Sequence, residues 1–187
     1  MRTPRLPLLL ATTACLVLVG PPVPAYAVQP APCLDGRTES KGQSAVDDGE
    51  IRWTDETAYD DARKFAISTW QYTGSKIKIV GDSAITSNDL EFRDGNLGTR
   101  AADPLAQYER NSGIGATDYI TFNKQRLRGA SKNRLRYVAL HELGHALGLC
   151  HKSDTIVSLM WKSAPSAGYE ITWIPDVDKA NYRKLWG

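Results

Sequence analysis

Three histidines and one glutamate within eleven residues are the side chains best suited to chemistry. His141, Glu142, His145, Gly148 and His151 give the spacing H-E-x-x-H-x-x-G-x-x-H. Histidines four residues apart lie on one face of a helix, so the first two can bind one metal ion. The glycine then ends the helix because it readily adopts the left-handed conformation, and the chain turns back to supply the third histidine. Three imidazoles leave one zinc position open, which is typical of a catalytic site.

The alternative for these histidines is a structural role, with ordinary hydrogen-bond partners inside a buried helix. The chain has only three histidines, however, and all of them lie in this window. Glu142 interrupts an otherwise apolar or glycine-rich run between Tyr137 and Cys150, and an unpaired buried carboxylate is costly. A neighbouring zinc ion with a water molecule would account for that carboxylate, and Glu142 would then be the general base.

The window resembles the zinc signature of the metzincin metalloproteases. A second mark of that class is a methionine turn, and Ser158-Leu159-Met160 follows shortly after the third histidine. The sequence of residues 141–149 is most similar to that of the matrixin branch, although Lys152 stands where matrixins usually have a serine. The resemblance covers most of the chain after about Ile51. It implies an α+β fold of the metzincin type, in which a twisted mixed β-sheet is combined with two long helices, the active-site helix included, and a C-terminal helix.

The same resemblance implies a function, which is zinc-dependent hydrolysis of peptide bonds. One catalytic zinc ion would lie on His141, His145 and His151, and an extended protein or peptide substrate would pair with an edge strand. Asp178 matches the buried aspartate of the family. Residues 161–175 would wall the specificity pocket, with core packing as the alternative for the aromatic ones; the segment includes Trp161, Pro165, Tyr169 and Trp173. The alternative function is a zinc-binding protein that binds peptides or partners without turnover, and an intact Glu142 argues against it.

Residues 1–27 are predicted to be a secretory signal peptide. Arg2 and Arg5 precede an apolar segment, Leu6 to Gly20, and Ala25-Tyr26-Ala27 gives a small-x-small cleavage site. The apolar segment is too short for a membrane span. We therefore expect a secreted, extracellular protein without a membrane anchor.

Removal of that segment leaves a chain with balanced charge. The signal peptide holds two of the 23 basic residues and none of the 21 acidic ones, so 23 − 2 = 21 basic residues remain beside 21 acidic ones. This balance of charge does not favour binding to nucleic acid. We expect a monomer of one catalytic domain.

Two cysteines, Cys33 and Cys150, remain after the predicted cleavage, which removes Cys15. An even number of cysteines in an exported protein favours a disulfide bond. Two alternatives stay open: Cys33 could occupy the zinc, as the propeptide cysteine of matrixin precursors does, or Cys150 could be a zinc ligand. Against the first alternative, only about 20 residues lie between the predicted cleavage site and the catalytic domain, which is short for a matrixin-like prodomain. Against the second, a fourth protein ligand would close the zinc site.

The remaining pattern divides the chain into an N-terminal arm, residues 28–49, ordered mainly by Cys33, and a catalytic domain, residues 50–187. A strand is predicted over residues 50–53, followed by a helix that Thr54 caps and Gly74 ends. Alternating apolar and polar residues predict strands near residues 77–79, 90–92 and 119–122.

Later segments supply the other expected elements. Residues 94–116 are predicted to form a long functional loop. The resemblance implies calcium in this region, with Asp94, Asn96 and Asp103 as candidate ligands and ordinary solvated side chains as the alternative. The active-site helix is predicted to begin near Ser131, and residues 175–187 are predicted to form a closing helix.

Overall fold

A five-stranded sheet and three long helices form the part of the chain that the structure describes. The structure is a computed structural model, and it describes residues 28–187 apart from 84–85 and 114, so the predicted signal peptide lies outside the described residues. No helix in the described part is long and apolar enough to cross a membrane. The elements are β1 (Glu50–Glu56), α1 (Asp60–Trp70), β2 (Lys78–Gly81), β3 (Leu90–Gly95), β4 (Ala106–Glu109), β5 (Asp118–Asn123), the short α2 (Lys124–Leu127), α3 (Lys132–Ala146) and α4 (Asp176–Trp186).

The sheet is mixed, which confirms the predicted α+β fold. Its strand order is β2-β1-β3-β5-β4. Strand β1 pairs in parallel with β2 and β3, and β3 pairs in parallel with β5. Strand β4 runs antiparallel to β5 at the end of the sheet. Its outer edge therefore carries backbone groups that the sheet does not pair.

The core lies where α1 and α3 pack together and meet the sheet. Ala62, Ala66 and Trp70 lie on the buried side of α1, at the helical spacing that the sequence predicts. The Trp70 indole donates a hydrogen bond of 3.0 Å to the Leu140 carbonyl, which is one residue before the first histidine of the motif. The helix that carries the histidines is thus held by a buried contact to α1.

The predicted start of α1 is wrong. Thr54 does not cap a helix, because β1 continues to Glu56 and the helix begins at Asp60. Residues 53–56 pair in register with residues 90–93 of β3, and this pairing extends the strand beyond the capping signal. The helix also ends earlier than predicted, at Trp70 rather than Gly74.

The segment from 94 to 116 is not a structureless loop, because it contains β4. Nothing in this segment supports the candidate calcium site. The Asp94 carboxylate accepts hydrogen bonds from Thr57 and Ala58, and the Asp103 carboxylate is occupied by Arg100. These carboxylates serve to hold the segment in place.

Candidate metal centre and cleft

Helix α3 places two of the three histidines. Ser131 caps its first turn by accepting a hydrogen bond of 3.1 Å from the Arg134 backbone N–H, as the predicted start requires. The helix ends at Ala146, and Gly148 follows with φ +85. A side chain at this glycine would be strained by that φ and would also lie 2.6 Å from a backbone oxygen of the arm. The turn brings His151 back toward the helix.

The three histidines converge on one point. The Nε2 atom of His145 lies 3.2 Å from Nε2 of His141 and 3.0 Å from Nε2 of His151. Neighbouring ligands of a tetrahedral ion with bonds of about 2.0–2.1 Å are separated by about 3.3 Å. The spacing of the three nitrogens therefore fits a zinc ion.

Backbone carbonyls fix the other side of two of these rings. Nδ1 of His141 lies 2.9 Å from the Leu159 carbonyl, and Nδ1 of His145 lies 2.8 Å from the Leu149 carbonyl. A carbonyl accepts, so each Nδ1 carries the proton and each Nε2 presents a lone pair. Lone pairs at about 3 Å repel one another, so the short contact between the Nε2 atoms of His141 and His145 is not a hydrogen bond. A cation at their centre would relieve the repulsion.

Burial also favours the neutral form of the histidines. Burial lowers the pKa of His141 to about 4. Burial, together with the neighbouring positive groups, lowers the pKa of His145 and of His151 as well. Neutral imidazole is the form that binds a metal ion, so protons compete little for these ligand positions.

Glu142 lies beside the histidines and is 7% exposed. Its Oε2 atom accepts a hydrogen bond of 2.8 Å from the backbone N–H of Tyr108 in the edge strand β4. Burial raises the pKa of Glu142 to about 7, and the Tyr108 hydrogen bond acts in the opposite direction. A carboxyl group with such a pKa can accept and return a proton near neutral pH.

The turn that contains Met160 packs against α3 and holds the His141 ring in place. Met160 is fully buried, and its sulfur would lie 2.5 Å from a Cβ atom at Gly144 of α3. Only a glycine allows this close approach. The Asp178 carboxylate of α4 accepts hydrogen bonds from the Ser158 hydroxyl (2.7 Å) and the Leu159 N–H (2.6 Å). Because the Leu159 carbonyl contacts His141, Asp178 positions a ring of the centre through one residue.

The N-terminal arm is tied to the segment around the third histidine. The structure joins Cys33 and Cys150 by a disulfide bond. Backbone hydrogen bonds also run from Leu34 to the His151 carbonyl (2.8 Å) and from Ala45 to the Ala146 carbonyl (2.8 Å). Backbone hydrogen bonds therefore hold the arm as well as Cys33, to which the prediction attributed most of its order.

Lys152 occupies the centre of this junction. Its side chain is 0% exposed, and its ammonium group forms an ion pair with Glu39 of the arm. It also donates a hydrogen bond of 2.9 Å to the Ala31 carbonyl, and Asn181 of α4 donates to the same glutamate. A second possible metal-binding group, Cys33 with Glu39 and Cys150, coincides with this junction. The disulfide and the adjacent ammonium group make it unsuitable for a cation.

A cleft with a volume of about 730 Å³ opens over the histidines and Glu142. Residues 161–164 of the segment predicted to wall a pocket line the cleft, but of the four residues named in that prediction only Trp161 does. Tyr169 and Trp173 are exposed instead (77% and 55%), so they contribute neither to this cleft nor to the core. Pro165 contributes a carbonyl that accepts a hydrogen bond from Arg134.

Two groups of the cleft were not predicted from the sequence. The Tyr108 N–H that holds Glu142 is a backbone group, and a backbone group leaves no trace in residue type. Arg37 lines the cleft from the arm, although more than 100 residues of sequence separate it from the histidines. Only the predicted link between Cys33 and Cys150 pointed to the arm as a neighbour of the centre.

Comparison with models of protein families gives a match. A family model described as Matrixin matches residues 25–187, which is most of the chain. A comparison with curated proteins finds no match.

Proposed function

The chain belongs to the matrixin family of metalloproteases, and from this premise we propose that it is a secreted zinc-dependent endopeptidase. The observation that carries the proposal is the convergence of three Nε2 atoms beside a buried carboxylate. His141, His145 and His151 would hold the zinc ion, and Glu142 would be the general base. When bound at such a site, zinc supplies polarisation of the scissile carbonyl and of a water molecule.

The protein groups have separate tasks in this reaction. Glu142 accepts a proton from the attacking water, whose oxygen forms the new bond to the carbonyl carbon. As the C–N bond breaks, Glu142 returns the proton to the leaving nitrogen, so that an acid and an amine result. The carboxylate is in place beforehand because the Tyr108 N–H holds it. Met160 and Asp178 act through the histidines and touch no reacting atom.

The substrate would lie along the outer edge of β4. This strand ends the sheet, so its free backbone groups can pair with an extended peptide. The Tyr108 N–H already points at Glu142, which places the edge strand beside the reacting groups. A peptide bound there presents its backbone to the carboxylate.

The domain boundaries follow the same proposal. Residues 1–27 would be removed as a signal peptide, residues 28–49 would form the arm, and residues 50–187 would form the catalytic domain. The disulfide bond between Cys33 and Cys150 is typical of an oxidising, extracellular environment. The product would act as a monomer with no membrane anchor and no nucleic-acid partner.

The test compares casein cleavage by the purified mature protein with and without a chelator. Glu142→Gln preserves shape but removes the base, so we expect zinc content and melting temperature near those of the wild type. Proteolysis should fall by about 10²–10⁴-fold, the usual contribution of an acid–base group. His145→Ala is the matched control, because it should lose metal and activity together. A zinc-loaded protein that binds peptides but cleaves none from a broad library would instead be a binding protein without turnover.

A further inference from the structure

Basic side chains outnumber acidic ones among the residues that line the cleft. The chain without residues 1–27 has equal numbers of basic and acidic residues. Among the described residues that line the cleft, five are cationic and only Asp103 and Glu142 are acidic. The cationic ones are Arg37, Arg110, Arg126, Arg134 and Lys162. A concave surface lined by one sign of charge concentrates ligands of the opposite sign.

Three of these cations already have acidic partners. Arg110 lies 3.0 Å from a carboxylate oxygen of the buried Asp118, Arg134 lies 3.7 Å from Glu170, and Lys162 lies 3.2 Å from Asp35. Within the described part of the chain, neither Arg37 nor Arg126 forms an ion pair. These two guanidinium groups are available to a ligand.

Their positions differ along the cleft. Arg37 belongs to the arm, between the hydrogen bonds that Leu34 makes to the His151 carbonyl (2.8 Å) and Ser40 makes to the Gly148 carbonyl (3.0 Å). It therefore lies beside the third histidine. Arg126 belongs to α2 and donates a hydrogen bond to the Asp103 carbonyl, in the segment that leads into β4. Arg37 thus flanks the three histidines, and Arg126, which lies near the acidic Asp103, flanks the start of the edge strand.

An unsatisfied hydroxyl group points to the same kind of ligand. Tyr137 is 2% exposed and lines the cleft, and its ring centroid lies 6.0 Å from that of His141. Within the described residues its hydroxyl has no hydrogen-bond partner, although a buried hydroxyl usually has one. A carboxylate, which only accepts hydrogen bonds, would satisfy this donor.

We propose that the cleft selects peptide substrates with acidic side chains near the cleaved bond, and that Arg37 and Arg126 are the residues that determine this specificity. The proposal rests on the endopeptidase function proposed above. Guanidinium groups are suited to carboxylates because their planar donors can form two parallel hydrogen bonds. Acidic peptides are therefore bound at both flanks of the reacting groups.

The experiment uses two fluorogenic peptides that differ only in Glu or Gln at two positions, one on each side of the cleaved bond. We expect the zinc-loaded wild type to cleave the Glu peptide with a kcat/KM about three- to tenfold higher at low salt, as partly exposed charge pairs allow. The ratio should decrease as salt screens the charges. Equal rates for the two peptides, or faster cleavage of the Gln peptide, would overturn the proposal.

The variants assign the preference to residues. Arg37→Gln and Arg126→Gln should each lower the Glu/Gln ratio. Arg128→Gln is the matched control, since Arg128 is exposed and does not line the cleft, and it should keep the wild-type ratio. A ratio that survives both cleft substitutions would show that other groups cause the preference.

A binding measurement separates this proposal from the endopeptidase function. Labelled versions of both peptides are titrated with the zinc-loaded Glu142→Gln variant, and binding is followed by fluorescence anisotropy. Tighter binding of the Glu peptide supports acidic recognition even if no peptide is ever cleaved by the wild type. Equal binding by a protein that does cleave peptides leaves the endopeptidase function in place and rejects the acidic preference.

Discussion

Replacing Lys152 by methionine should destabilise the fold far more than the same change at Lys162. Lys152 is 0% exposed and pairs with Glu39, which is 11% exposed. Methionine has a similar length but no charge, so Glu39 would keep a buried charge with one remaining donor, Asn181. Removing one partner of a buried ion pair costs about 3–5 kcal/mol. Because Asn181 would still donate to Glu39, we expect a loss of unfolding free energy near the lower end of this range, about 3 kcal/mol.

The control is the exposed pair between Lys162 and Asp35, whose side chains are 60% and 62% exposed. Solvent screens such a pair, so Lys162→Met should cost about 0–1 kcal/mol. Both variants are measured by urea unfolding with a chelator present, because bound metal would add its own stabilisation. For a domain of this size, a loss of 3 kcal/mol corresponds to a decrease of about 6–12 °C in melting temperature.

A double-mutant cycle with Glu39→Gln completes the test. If the ion pair is the cause, the double variant should be more stable than the sum of the single losses predicts, with a coupling of about 0.5–3 kcal/mol. Lys152→Met and Lys162→Met of equal stability would refute the reasoning. Zero coupling between Lys152 and Glu39 would attribute the loss to packing rather than to charge.

Two other substitutions and one metal analysis have defined outcomes. The disulfide closes a loop with a sequence separation of 117 residues, so Cys33→Ser should lose about 4–5 kcal/mol in the chain-entropy model and lower the melting temperature. Two free thiols in secreted wild type by mass mapping, or higher activity of Cys33→Ser, would contradict this. Gly144→Ala places a Cβ atom 2.5 Å from the Met160 sulfur and should cost about 1–3 kcal/mol in urea unfolding. Metal analysis after dialysis should find one zinc ion per chain, and a count of zero or two would reject the assignment.

The chemistry of the centre was more predictable than its support. The motif fixed the two helical histidines because their spacing follows from helix geometry, and Gly148 was predictable because few other residues adopt φ +85. The role of Lys152 was not predictable, because its partner Glu39 lies 113 residues earlier. The sequence marked only that an unusual residue stands after the third histidine.

Local signals failed where pairing with another strand outweighed them. Thr54 with the following acidic residues has the pattern of a helix start, yet the neighbouring strand β3 extends β1 through these positions. The alternation of apolar and polar residues alone does not reveal strand β4, because four residues are too few for the pattern to be recognised. Its importance comes from its position at the sheet edge, which is a property of the assembled sheet.

The arm also determines when in folding the metal centre can be completed. The hydrogen bonds from Leu34 and Ala45 reach the carbonyls of His151 and Ala146, so they close loops of more than 100 residues. Contacts between such distant parts of a chain form slowly, because loop closure costs entropy before the contact repays it. A chain folded only through β5 would already have all five strands of its sheet but none of the histidines. The arm can close over the last turn of α3 only after that helix exists, so we expect the centre to be completed late in folding.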